Sequence, residues 1–130
     1  MRLAITADHL AKLRQLALQS KPNESCAFLL GKANTDVQVS EIFYVKNADF
    51  TPVSFNISAD DIILAYKTAE QKSMDVVGIF HSHPAPARPS QTDLRYMEIN
   101  PVVWLIYSTT QDKFAAWLLD GELQQVDIRA

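Results

Sequence analysis

The chain has a single cysteine, Cys26, so no internal disulfide can hold it together. That usage fits a reducing compartment, and a cytoplasmic location is expected. No run approaches the roughly 20 apolar residues that a membrane-spanning helix needs. Residues Met1 to Asp8 lack the apolar stretch of a secretory leader. A dominant charge is missing too. Twelve basic residues against 15 acidic ones give a net charge of −3, which is no footprint for nucleic acid or an anionic membrane. Repeats, low-complexity tracts and linker-like stretches are absent, so one domain over residues 1–130 is expected. That length supports a core without covalent staples. With 48% hydrophobic and 21% charged residues, the composition is that of an ordinary globular protein.

Histidine is also scarce, and its placement is the strongest signal in the chain. The three histidines are His9, His81 and His83. Two of them close the stretch Gly78-Ile79-Phe80-His81-Ser82-His83-Pro84. The apolar lead Val76 to Phe80 reads as a buried strand. On a strand, residues two apart point to the same face, about 6.6 Å from one another. Both imidazoles can therefore lean toward one point. After a proline-stiffened loop, Ser90-Gln91-Thr92-Asp93 brings a carboxylate at the start of a helix. Two neutral imidazoles and one carboxylate suit Zn²⁺, and three protein ligands leave a fourth position open, as in catalytic zinc sites. Ser90 to Asp93 also reads as a capping box, with Ser90 the N-cap and Asp93 complementing the helix dipole.

These residues, with Glu24 in Asn23-Glu24-Ser25-Cys26-Ala27-Phe28 far upstream, resemble the JAMM/MPN+ zinc metalloprotease family. The family pattern is Glu, then His-x-His, then Ser-x-x-Asp, and every position is filled. One spacing departs from it: six residues, Pro84 to Pro89, stand between His83 and Ser90, where most members have seven. The resemblance covers essentially the whole chain and points to a prokaryotic-type, single-domain, deubiquitinase-like member. It implies a cytidine-deaminase-like JAMM/MPN fold and one Zn²⁺ per chain on His81, His83 and Asp93. It assigns proton transfer to Glu24 and oxyanion stabilisation to Ser90. The implied activity is hydrolysis of the amide bond after the C-terminus of ubiquitin or a ubiquitin-like or sulfur-carrier protein. Two other readings belong to the same family: a non-catalytic MPN scaffold for protein partners, and a DNA-associated JAMM-like protein. The filled motif argues against the first and the acidic balance against the second.

The remaining pattern gives the fold class. Leu3 and Ile5 alternate as a short strand. Thr6 caps a helix to about Ser20, with Leu10, Leu13, Leu16 and Ala17 inward and His9 on its surface. Strands are expected over Ser25–Lys32, Val37–Asn47, Asp75–His83, Val102–Thr109, Phe114–Leu119 and Leu123–Ile128. Asp120-Gly121 marks a hairpin. A second helix runs from Ser58 to about Ser73 with Ile62, Ala65, Tyr66 and Ala69 inward, and a third from Gln91 to about Ile99. Asp49 to Asn56 is a connector. Trp104, Tyr107 and Trp117 read as core, Arg88 as a solvated loop charge, and Cys26 as a buried strand residue with no histidine left to activate it. The expected class is α/β: a mixed, curved sheet flanked by helices.

Overall fold

The computed structural model describes residues 1–49 and 56–130. Among these, the elements in chain order are β1 (Arg2–Ala4), α1 (Ala7–Ser20), β2 (Ser25–Ala33), β3 (Val37–Tyr44), α2 (Ala59–Gln71), β4 (Asp75–His83), α3 (Gln91–Ile99), β5 (Val103–Ser108), β6 (Lys113–Asp120) and β7 (Glu122–Arg129). The strands pair in the order β1-β3-β2-β4-β5-β6-β7, and β1 also pairs with β7, closing the sheet into a barrel. The mixed, curved sheet is therefore as expected from the sequence, whereas its closure is not written in any one strand. It depends on three residues of β1 bridging β3 and β7 in parallel.

Each helix starts on a hydroxyl that accepts a backbone amide. Thr6 accepts from His9, Ser58 from Asp61 and Ser90 from Asp93. Period-2 alternation then sorts the strand residues between two apolar clusters. Ala27 and Leu29 of β2 join Phe80, Leu105 and α1 residues Leu13 and Ala17 on one side. Cys26, Phe28 and Leu30 join Ile79, Trp104, Ile106 and the helix residues Ala65, Ala69 and Met97 on the other. Burial of a side chain such as Leu13, which is fully covered, contributes about 1.5–3 kcal/mol. Trp104, Tyr107 and Trp117 are all buried, and Arg88 is exposed, as expected.

One boundary and one helix face differ from expectation. The third strand ends at Tyr44, and Asn47 beyond it turns its side chain toward the Glu24 backbone. Most of the Asp49–Asn56 connector lies outside the described residues. On α2, Ala65 and Ala69 face the sheet, but Ile62 is 39% and Tyr66 50% exposed. The run Ile62-Ile63-Leu64-Ala65-Tyr66 is apolar on all sides, so periodicity alone could not choose its buried face.

β4 lies at the centre, antiparallel to β2 and parallel to β5. Its register against β2 slips between Leu29, which pairs with Gly78, and Leu30, which pairs with Val76. This bulge at Val77 re-aims the remainder of the strand. Ile79 falls on the α2–α3 side, and by alternation so do His81 and His83. Gly78 allows the close approach of β5, since a Cβ there would sit 2.9 Å from the Val103 carbonyl oxygen. Gly121 takes φ +73° in the β6–β7 turn, a conformation that favours glycine.

Candidate metal and catalytic site

The C-terminal end of β4 carries His81 and His83 on one face, and the first turn of α3 brings Asp93 against them. Their potential ligand atoms all lie within 4.8 Å of one another, and all three residues are buried. His81 Nε2 is 3.1 Å from Asp93 Oδ2, and its Nδ1 is 3.4 Å from Glu24 Oε1. Glu24, 5% exposed, immediately precedes β2. In the antiparallel β2–β4 register, Ser25 pairs with Ser82 and Cys26 with His81, which places Glu24 at the histidine end of β4. The six-residue loop Pro84 to Pro89 leads into α3, whose Asp93 carboxylate meets the histidines.

That loop is held at two points. Trp117 Nε1–H donates to the Ala87 carbonyl at 2.9 Å, and the Arg88 guanidinium stacks 5.3 Å from the centre of the same indole. His83 Nε2 lies 2.8 Å from the Pro86 carbonyl oxygen, which can only accept. Nε2 therefore carries the proton, and Nδ1 is the lone-pair nitrogen of that ring. Trp104 packs edge-on against His81 with centroids 5.9 Å apart.

The donor chemistry fits a divalent cation. Donors on a tetrahedral zinc are about 3.3 Å apart, since Zn–N and Zn–O are about 2.0–2.1 Å. The His81–Asp93 separation of 3.1 Å is close to that. Two buried carboxylates also converge on one imidazole, a pattern that calls for positive charge. Burial alone would lower the His81 pKa, but the hydrogen bond to Asp93 and the nearby Glu24 carboxylate outweigh this and raise it to about 9. A bound metal would take the place of that proton. Burial, followed by repulsion from His81, lowers the pKa of His83. Burial works to raise the Asp93 carboxyl, and the His81 and Ser90 hydrogen bonds hold it below its usual value. Cys26 is pushed up to about 12, by burial first and then by the Glu24 and Asp61 charges, so it is no nucleophile.

Ser90 forms a reciprocal cap. Its Oγ accepts the Asp93 amide at 3.1 Å, and its own amide donates to Asp93 Oδ2 at 2.9 Å. A hydroxyl that accepts one bond still has a proton to donate. Capping therefore does not exhaust Ser90. Three residues near the site went unread in the sequence: Asn47, Ser25 and Ser82. Asn47 Nδ2 donates to the Glu24 carbonyl at 2.9 Å. Ser82 Oγ accepts the Ser25 amide at 3.2 Å and meets Ser25 Oγ at 2.6 Å. The available signal was a serine between two histidines on a strand that reads as buried, since a buried hydroxyl needs a partner.

Beside the site, α2 and α3 leave an apolar groove of about 220 Å³. Ile62, Tyr66, Tyr96 and Ile99 form its walls, with Phe28 and Trp104 also lining it. No helix among the described residues is long and apolar enough to cross a membrane.

Comparison with known proteins gives a consistent result. A family model described as prokaryotic homologs of the JAB domain matches residues 6–120. A desampylase from Pyrococcus furiosus is 36% identical over 116 residues, 88% of this chain and 80% of that protein. Among solved structures, a Desulfitobacterium hafniense protein determined in solution aligns with TM-score 0.86 and 26% identity, over 98% of this chain and 91% of that one. A Salinibacter ruber protein aligns with TM-score 0.73 and 32% identity, over 98% and 90%. A JAB1/MPN domain protein from Archaeoglobus fulgidus, at 20% identity and TM-score 0.63 over the whole of both chains, shares the fold.

Proposed function

The chain belongs to the JAMM/MPN family, among the prokaryotic JAB-domain proteins, and we propose that it is a zinc-dependent peptidase that frees a ubiquitin-like or sulfur-carrier protein from its conjugates by hydrolysing the amide bond after that protein's C-terminus. The observation that carries this reading is the convergence of His81, His83 and Asp93 with a second carboxylate, Glu24, 3.4 Å from the His81 ring. Likeness to a desampylase supports a ubiquitin-like modifier as the part released.

In this reading His81, His83 and Asp93 hold one Zn²⁺. Bound zinc supplies Lewis acidity toward water and the scissile carbonyl. Glu24 takes the proton of the attacking water and passes it to the leaving amine. The Ser90 O–H donates to the oxyanion of the tetrahedral intermediate. With the thiol of Cys26 held protonated by burial and both site histidines given to the metal, the described residues of this site offer no Cys–His or Ser–His pair as a nucleophile. The modifier's apolar surface rests in the α2–α3 groove, which Trp104 connects to His81.

The test uses purified protein, demetallated and then zinc-repleted, against a ubiquitin-like modifier joined through an isopeptide bond. Release of intact modifier should require zinc and be lost in Glu24→Gln with zinc still bound. Unchanged release by the demetallated protein would sink the reading.

A further inference from the structure

The peptide group joining Glu24 to Ser25 is gripped at both ends by side chains. Its carbonyl oxygen accepts from Asn47 Nδ2 at 2.9 Å. Its N–H donates to Ser82 Oγ at 3.2 Å, and the Ser25 and Ser82 hydroxyls meet at 2.6 Å. Asn47, Ser25 and Ser82 are 7%, 4% and 0% exposed, so these bonds form away from water, where losing a partner costs most. Ser82 lies between His81 and His83, and Ser25 follows Glu24. By strand alternation, both serines point to the sheet face opposite Glu24 and the histidines. The pair therefore ties the backbone of the carboxylate to the backbone of the histidine strand from behind. On the other side, the Asn47 side chain accepts the amides of Asp49 and Asn56 at 3.0 Å each, which fixes its amide plane.

We propose that Ser82 and Asn47 are positioning residues that set the Glu24 carboxylate for proton transfer by fixing the Glu24–Ser25 peptide from opposite ends. This rests on the reading of Glu24 as the proton carrier. It assigns a task to the serine between the two histidines that neither metal binding nor packing requires. A side chain a few bonds from a clamped peptide has little room to wander, and a misplacement of about 1 Å at a reacting group costs about 100-fold in rate.

The experiment is a double-mutant cycle in single-turnover assays on the zinc-loaded chain. Ser82→Ala should lower kcat by roughly 10- to 100-fold, the range seen when a residue supporting a functional ligand is removed. KM should stay within about twofold, and zinc affinity, read by competition with a chromophoric chelator, should match the parent. Ser82→Thr, which keeps the hydroxyl, should recover most of the rate. Asn47→Ala should act in the same direction from the other end, and it carries the test if Ser82→Ala folds poorly by thermal melting. In the Glu24→Gln background, either substitution should cost almost nothing more, because the group it positions is gone. Parental kcat in Ser82→Ala and Asn47→Ala beside a dead Glu24→Gln would overturn the clamp alone. So would an equal loss with and without Glu24, or a fall in zinc affinity that accounts for the rate. An active Glu24→Gln would overturn the functional reading, and the clamp with it.

Discussion

Ser58-Ala59-Asp60-Asp61 and Ser90-Gln91-Thr92-Asp93 are the same pattern, serine then aspartate three residues on, each opening a helix. At α2 the Ser58 hydroxyl accepts the Asp61 amide at 3.2 Å, and Asp61 stays partly solvated. At α3 the bonds run both ways, and Asp93 is 3% exposed against His81. Local chemistry is shared; what differs is the surface that each helix start meets. α2 begins beside a connector, whereas α3 begins over the histidine end of β4. The cap orients the Asp93 carboxylate, and the strand makes that orientation useful.

The largest expected effect breaks the pair at the aspartates. Asp93→Asn should abolish stoichiometric zinc binding and lower turnover by more than the roughly 100-fold typical of a merely orienting residue. Asp61→Asn should leave zinc content and rate at parental values. Elemental analysis beside a cleavage assay decides both. Retained zinc and turnover in Asp93→Asn would remove it from the ligand set.

Next come the serines. If the Ser90 proton reaches the oxyanion, Ser90→Ala should lower kcat about 100-fold with zinc retained. Ser58→Ala should cost only about 1 kcal/mol of stability, the usual worth of an N-cap, with normal turnover. Should Ser90→Ala behave like Ser58→Ala in both measurements, Ser90 is a cap and nothing more.

A smaller effect concerns the groove between the two helices. Ile62→Asp places a charge on the exposed apolar wall of α2. Burying such a side chain against a partner contributes about 1.5–3 kcal/mol, so KM should rise by about 10- to 150-fold, with kcat and melting temperature nearly unchanged. An unaltered KM would move the modifier's seat elsewhere.

The sequence made some of this legible and hid the rest for physical reasons. β4 and α3 begin and end where expected, since a buried apolar run and a cap with turn residues are local signals. The residues His81, His83, Asp93 and Glu24 were legible through type and order, and the fold brings them together. Hidden were features that depend on two distant segments at once. The bulge at Val77 needs the β2–β4 register. Barrel closure needs β1 to find β7. Asn47, 23 residues from Glu24, becomes informative only when the chain folds back to present it. Ile62 and Tyr66 stay half-exposed as walls of the groove, because the run Ile62–Tyr66 is apolar on every side and the alanines, the smallest of them, are what pack closest to the sheet.

The smallest effect separates the buried helix start from the solvated one by pH. His81 is raised to about 9: burial opposes the charge, but the Asp93 hydrogen bond and the Glu24 carboxylate prevail. An imidazole raised above its unfolded value of about 6.5 adds stability that is fully present below that value and is lost as pH rises through about 9. Asp93 is depressed, with the His81 bond overcoming burial. Its contribution is present above an unfolded value of about 3.9 and lost as pH falls through its lower folded value. Both statements describe one ion pair seen from two sides, so they are not added. In chelator-treated protein, the melting temperature of the parent minus that of Asp93→Asn should therefore be greatest between about pH 4 and 6.5. It should shrink toward pH 9, by a few degrees, since 1 kcal/mol moves Tm by about 4 °C at this chain size. Zinc-loaded parent should not show the alkaline decline, because a metal-held imidazole is already without the titrating proton. A difference that stays constant from pH 5 to 9 without metal would mean that folding brings no extra proton to His81, and that a neutral imidazole meets the Asp93 carboxylate.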